Sequence, residues 1–428
     1  LLLVLPALAR AGDRPVILID RPRESAFRAA VQRFAGKLPG GAGLADSLRR
    51  QILDALAFSG LFAAVPDAAF LGPVQSPPLE SGAPDCPSWR QIDADALVQG
   101  ELEGTAGRVR VEFRVLDVAR GCTQLLHKRY EGAAGELRRV GKAIADDVVG
   151  AFTGQPGVAD TEIAFISDRG GSREVYVMEA DGQNLRAATH NGSINAFPDW
   201  SPDGSSIVYT SYRYRSRPWL FLLTRGRHSP GRILRKLAGV SALFRGVYDP
   251  SGDQLAVVGS VDGQTEIFRV APSGRSLRRL TRNRFIDVSP SFSPDGRRIA
   301  FTSDRVGAPQ IYVMQADGSD PHRISFDGGY NTSPAWSPGG RWIAYEARVN
   351  GQFDIWLIGP EGAPNLPLVT HPRSDEHPTW SPDGRMLAFS STRRGTSDIY
   401  VLDLATRHVR RITDGGENSS PAWGPYRR

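Results

Sequence analysis

Phe292-Ser-Pro-Asp-Gly296, Trp336-Ser-Pro-Gly-Gly340 and Trp380-Ser-Pro-Asp-Gly384 follow one another at intervals of 44 residues. The phrase occurs again at Trp200-Ser-Pro-Asp-Gly204. Weaker copies stand at Tyr248-Asp-Pro-Ser-Gly252, which is 44 residues before Phe292, and at Trp423-Gly-Pro. A fixed period of this size marks a propeller or a solenoid. Each phrase brings further landmarks at constant offsets. A proline lies two residues before the aromatic in five copies: Pro198, Pro290, Pro334, Pro378 and Pro421. An alternating strand follows the turn, as in Ile299-Ala-Phe-Thr, Ile343-Ala-Tyr-Glu and Leu387-Ala-Phe-Ser. A second follows a polar loop, as in Ile311-Tyr-Val-Met and Ile399-Tyr-Val-Leu, and a short basic one ends the unit, as in Arg323-Ile-Ser325. Four strands per period, joined by Asp-Gly-type turns, make a propeller blade.

The post-turn strand occurs six times, and its first copy, Ile163-Ala-Phe-Ile-Ser-Asp168, has no phrase before it. Ser420-Pro-Ala-Trp423 at the other end supplies the missing strand, so the spacing predicts a six-bladed β-propeller over 161–428 closed by its own last strand. Joining the ends hides the two edges that an open array would expose. The Ser-Pro-Asp-Gly residues read as turn chemistry, with proline presetting φ and glycine accepting a positive φ. A metal reading of Asp203, Asp295 and Asp383 lacks a second acid recurring beside them. Trp200, Trp336, Trp380 and Trp423 read as inter-blade core.

Strands of a meander alternate in direction. The tight turns therefore share one face, and the long second-to-third and inter-blade loops share the other, where recognition is expected. The second-to-third loops carry Arg169, Arg213, Arg305, Arg348 and Arg393. The inter-blade loops add Phe244, Arg245, Phe285, Asp287, Tyr330, Asn331, Asp375, Glu376 and Asn418. Arginines and aromatics around a channel mouth suit a protein interface, because guanidinium holds carboxylates bidentately. The competing reading is that each arginine bonds within its own blade.

Residues 13–153 follow a different pattern and read as an α/β domain, a mixed sheet with two helices, joined by a linker at 154–160. Leu44, Leu48, Ile52 and Leu56 recur at helical spacing, as do Leu137, Val140, Ile144 and Val148. Leu97–Leu102 and Val109–Val115 read as a hairpin, Leu125–Tyr130 as a further strand and Val16–Ile19 as another. Ala26–Gly43 reads either as an opening strand, through Val31-Gln-Arg-Phe-Ala-Gly36, or as helix. Residues 1–12 open with an apolar run and then Ala-Arg-Ala-Gly, which reads as the remnant of a signal peptide, with a frayed strand as the alternative. The run is too short to span a bilayer.

Charge and motifs narrow the function. The 52 basic and 46 acidic residues are spread without a basic run, which argues against nucleic acid. Cys86 and Cys122, the two cysteines, either pair or stay free. No Gly-x-Ser-x-Gly elbow, phosphate-cradling loop, His-Glu-x-x-His or Cys-x-x-Cys occurs, so no catalytic group, metal or cofactor is expected. His371 and His377 with Asp375 and Glu376 match no usual ligand spacing and read as a solvated loop.

Across both domains the chain resembles the TolB family, periplasmic components of the Tol-Pal system of Gram-negative envelopes. The N-terminal resemblance rests on Ser59-Gly-Leu-Phe62, Trp89-Arg-Gln-Ile-Asp-Ala-Asp-Ala-Leu97, Val111-Glu-Phe-Arg114 with Asp117, and Arg139-Val-x-x-Ala-Ile144-Ala-Asp146. The resemblance implies a monomeric, non-enzymatic scaffold in the periplasm, peripheral to membranes through its partners. Its propeller loop face would hold the lipoprotein Pal. The N-terminal segment, with Val16, Ile17, Leu18, Ile19 and Asp20, would reach the inner-membrane protein TolA. The roles implied are outer-membrane integrity, constriction at cell division and, where exploited, protein import. The rival is a propeller enzyme or a sugar- or peptide-binding protein of cell-wall turnover, with Asp287, Asp375 and Glu376 as its candidate acids.

Overall fold

The computed structural model describes residues 26–36, 42–80, 84–105, 107–214, 216–226, 231–234 and 239–427. The leader reading of 1–12 and the Val16–Asp20 segment lie outside the described residues.

The N-terminal domain is a mixed sheet with its two long helices on one face and a short helix on the other. Its elements are β1 (Phe27–Val31), β2 (Ala35–Gly36), α1 (Ala42–Phe58), β3 (Phe62–Ala64), α2 (Cys86–Gln91), β4 (Ala96–Gly104), β5 (Arg108–Asp117), β6 (Thr123–Ala133) and α3 (Leu137–Thr153). The sheet order is β3-β1-β4-β5-β6, with β1 parallel to both neighbours and β4, β5 and β6 antiparallel. The opening segment is thus strand at Phe27–Val31, because Ala29, Ala30 and Val31 are fully buried and paired between two strands. Val109, Val111, Phe113 and Val115 alternate to one face of β5, where they meet Leu48 and Ile52 of α1 and Ile144 and Val148 of α3. Cys86 and Cys122 form a disulfide that ties α2 to the β5–β6 end of the sheet.

Six four-stranded sheets follow. The last strand, Asn418–Trp423, pairs antiparallel with Glu162–Ser167 and becomes the inner strand of blade one. The inner strands of blades two to six are Asn195–Trp200, Ala242–Tyr248, Asp287–Phe292, Asn331–Trp336 and Asp375–Trp380. The repeated phrase is a hydrogen-bonded turn. Ser293 Oγ donates to Asp295 and accepts the Arg298 N–H, and Ser201 with Asp203 and Ser381 with Asp383 repeat the pattern. These bonds hold the Asp203 and Asp295 carboxyls below the usual range. Gly296 closes its turn at φ 70°, which strains any residue with a Cβ. Neighbouring blades are latched at the aromatic. Its N–H is accepted by Asp199 for Tyr248, by Ser291 for Trp336 and by Thr379 for Trp423, at 3.0–3.2 Å.

The N-terminal domain sits on the tight-turn face, against blades six and one. Arg138, Arg139, Lys142 and Asp146 recur at helical spacing on the side of α3 that meets the propeller and its linker. Lys142 is 2% exposed, with its ammonium 2.5 Å from Glu179 and 2.6 Å from Asp181, and Arg138 reaches the same two carboxylates. Asp146 accepts the N–H groups of Ala159 and Asp160 at 2.8 Å, and burial pushes its carboxyl up to about 7. Arg410 of blade six donates to the Phe58 carbonyl at the end of α1 and lies over the Phe58 ring. No described residue of the N-terminal domain covers the loop-rich face.

Candidate functional site

The arginines of the loop face divide into two kinds. Arg305 places its guanidinium 3.0 and 3.1 Å from the Asp287 oxygens and over the Phe301 and Tyr312 rings. Arg393 does the same with Asp375 at 2.8 Å, over Phe389 and Tyr400. Arg169 donates to Asn418 and to the carbonyls of Asp414 and Gly415. In these three blades the within-blade reading holds. Asp287, Asn331, Asp375 and Asn418 are fully buried at the foot of the loops, so they shape the rim and present no surface to a partner. The rival acids are thereby engaged, since Asp287 and Asp375 already hold guanidinium groups. Arg213 and Arg348 are exposed, and Phe244 and Phe285 are half-buried.

The rim has its own surface character. Among the described residues, the large exposed apolar side chains are Leu71, Leu185, Ile194, Tyr212, Ile286, Val306, Phe326 and Tyr330. The last six belong to second-to-third or inter-blade loops, all on the loop face. Phe326 is 68% exposed, and Tyr330 packs edge-on against Phe353. Among the described residues, the exposed arginines there are Arg173, Arg213, Arg217, Arg282, Arg284, Arg348, Arg373 and Arg394, against the exposed acids Asp262, Asp327, Asp414 and Glu417. The face is amphipathic and net basic, which suits an acidic protein surface with apolar contacts.

Behind the rim the six inner strands line an axial tunnel. Each is bulged at one position, which turns Phe197, Arg245, Ser289, Ser333, His377 and Ser420 into the left-handed region. Phe197 and His377 approach with ring centroids 6.1 Å apart, and Arg245 lies 5.3 Å over the Phe197 ring. Glu346 accepts the His377 N–H at 2.7 Å. Burial, reinforced by Arg245, depresses the His377 imidazole to about 4. Burial raises the Glu346 and Glu376 carboxyls, and Glu346 adds to the effect on Glu376. No cluster of three or more His, Cys, Asp or Glu with metal-holding geometry occurs among the described residues. Phe197 and His377 escape a reading of loops alone. Their signal is the residue before the repeated proline, which is serine in three copies and Phe or His in the other two.

A family model of the TolB beta propeller domain matches residues 149–427, and one of the TolB amino-terminal domain matches residues 15–124. The chain belongs to the TolB family. It is 39% identical over 234 residues to the Tol-Pal system protein TolB of Desulfosudis oleivorans, covering 54% of this chain and 52% of that one. It is 34% identical over 294 residues to the TolB homolog of Chlorobium luteolum, covering 68% of this chain and 64% of that one. The chain thus spans between half and two thirds of the length of these TolB relatives. The crystal structure of TolB from Acinetobacter baumannii matches with a TM-score of 0.77 at 22% identity, over 95% of this chain and 98% of that one, which establishes the TolB fold across both domains. No helix among the described residues is long and apolar enough to cross a membrane.

Proposed function

We propose that this protein is a non-catalytic periplasmic scaffold. It binds the lipoprotein Pal on the propeller's loop face and TolA through its N-terminal segment, about residues 13–23. In this role it serves outer-membrane integrity and constriction at division. One observation carries the reading: six of the eight large exposed apolar side chains among the described residues lie on the loop face, opposite the N-terminal domain. Burying them requires a partner, and the surplus of exposed arginines on the same rim favours an acidic one. The rim residues proposed to touch Pal are Arg213, Tyr330 and Arg348, with Phe244 and Phe285 deeper.

Capture of purified Pal by the immobilised protein tests this. Phe326→Ser with Tyr330→Ser is expected to weaken capture by about tenfold or more, the scale of an interface anchor, with the melting temperature unchanged. Arg213→Glu with Arg348→Glu is expected to slow association and reduce its salt dependence. Undiminished capture by both pairs moves the interface off this face.

A further inference from the structure

The axial tunnel holds a cation that the blades do not use. Arg305 and Arg393 are saturated by carboxylates. Arg245 is half-buried, and among the described residues its guanidinium donates no hydrogen bond and has no carboxylate at ion-pair distance. Asp199 and Glu346 act on it only from farther away. Each of those acids already spends an oxygen on a backbone N–H, Tyr248 at 3.0 Å and His377 at 2.7 Å. The hydroxyls of Ser289 and Ser420, in the same ring of six, are likewise without a hydrogen bond among the described residues. A half-buried guanidinium whose donors are unspent is costly unless something from solution meets it.

A cavity of about 230 Å³ adjoins this ring on its tight-turn side, and no residue of the N-terminal domain lines it. Repeat prolines such as Pro290 and Pro334, with Trp336 and Trp380, give it stiff apolar stretches between polar ones. Arg245, His377, Asp199 and Ser420 are among the polar groups that border it. We propose that this cavity binds a small organic carboxylate, with Arg245 gripping the carboxylate and the proline and tryptophan walls holding an apolar body. Guanidinium offers a planar fork that matches two carboxylate oxygens, and the proline and tryptophan faces beside it offer contact to an apolar body. His377 stays neutral beside Arg245 and so adds a hydrogen-bonding group without a second charge. Asp199 opposes an anion when ionised. Burial pushes its carboxyl up to about 7, so below neutrality it turns from a repelling charge into a donor. The inference is independent of the loop-face reading, which concerns the other side of the ring.

Calorimetric titration with benzoate, and with benzylammonium as the probe of opposite charge and similar shape, tests it. Quenching of Trp336 and Trp380 fluorescence gives a second readout. Benzoate is expected to saturate one site and to bind more tightly at about pH 6 than at about pH 8, either side of the Asp199 value of about 7. Arg245→Met is expected to weaken it about tenfold or more, and Arg245→Lys less, since a point charge lacks the fork. Should Arg245→Met fail to fold, Ser420→Ala is expected to weaken benzoate by about threefold, a fraction of one hydrogen bond. Tighter binding of benzylammonium, absence of saturation by benzoate at about 10 mM, weaker than the millimolar scale, or unchanged affinity in a folded Arg245→Met would each overturn the proposal.

Discussion

Lys142→Met probes the joint between the domains. The Lys142 ammonium is buried between Glu179 and Asp181, at 2.5 and 2.6 Å. At an effective dielectric of about 20, each contact attracts by roughly 6 kcal/mol. Desolvating the three charges returns several kcal/mol per ion, so the net value of the cluster is small while the cost of breaking it is large. Glu179 would keep Arg138 and Asn184, but Arg138 is one-third exposed and cannot follow the carboxylate into the space the ammonium leaves. The expected loss is about 3–5 kcal/mol, the range for a buried charge left unpaired. Lys142→Met combined with Glu179→Leu should recover to within about 1 kcal/mol of the parent, because an apolar pair of similar volume replaces the ion pair. Urea unfolding measures both, with the near-ultraviolet signal of the propeller tryptophans and the far-ultraviolet signal followed together. A loss under about 1 kcal/mol for the single variant, or a double variant worse than the single one, refutes the reasoning.

The same cluster sets an acid limb. Burial alone would raise the Glu179 carboxyl, but Lys142, Asn184 and Arg138 outweigh it and hold it below the usual range. With the folded value below the unfolded one, the stabilisation is complete above the unfolded carboxylate pKa and is lost as pH falls through the folded value. Lys142→Met should therefore flatten the acid side of a stability–pH curve. Arg305→Met strands the fully buried Asp287 and should cost roughly 3 kcal/mol in unfolding experiments, while capture of Pal by the folded fraction weakens by less than the loss of a rim anchor, because only the stiffening of one loop is removed. Replacing Cys86 and Cys122 by serine opens a link across 36 positions. The chain-entropy model gives a loss of about 4 kcal/mol, confined to unfolding of the N-terminal domain.

The propeller was legible because its code is local. A turn that bonds Ser293 to Asp295 and Arg298 lies within six residues, and its recurrence every 44 residues counts the blades. Both long helices of the first domain were equally plain, since Leu48 and Ile52, or Ile144 and Val148, mark one face. The partners of the loop arginines were not legible. Arg305 and Arg348 occupy matching loops, yet one clamps a buried aspartate 18 residues earlier and the other is exposed. The difference lies in register: Ala347 pairs with Asn331 as Ser303 pairs with Asp287, so Val349 takes the place of Arg305 and Arg348 stands one position short, a strand pairing that a single loop does not reveal. Lys142 shows the opposite failure. It sits among helix residues that read as ordinary surface charge, and only the placement of Asp181 on a blade-one turn makes it interior.

Loop parity and domain docking act on the two faces in opposite ways. The tight turns of blades six and one are short enough for α1 and α3 to approach. Gly182, at φ 87°, lets one of these turns lie against the Ile412 carbonyl, where a Cβ would collide. The longer loops on the far side are held from beneath by guanidinium groups stacked on the Phe165, Phe301 and Phe389 rings. Those arginines therefore stiffen the rim on which the exposed apolar side chains stand. A rigid rim loses little conformational entropy when a partner docks. The ring of Phe197, Arg245 and His377 constricts the tunnel between the faces. An influence of the loop face on the N-terminal domain thus has a packed route through blades one and six, where Phe165, Tyr176, Met386 and Ile399 share one core with α1 and α3.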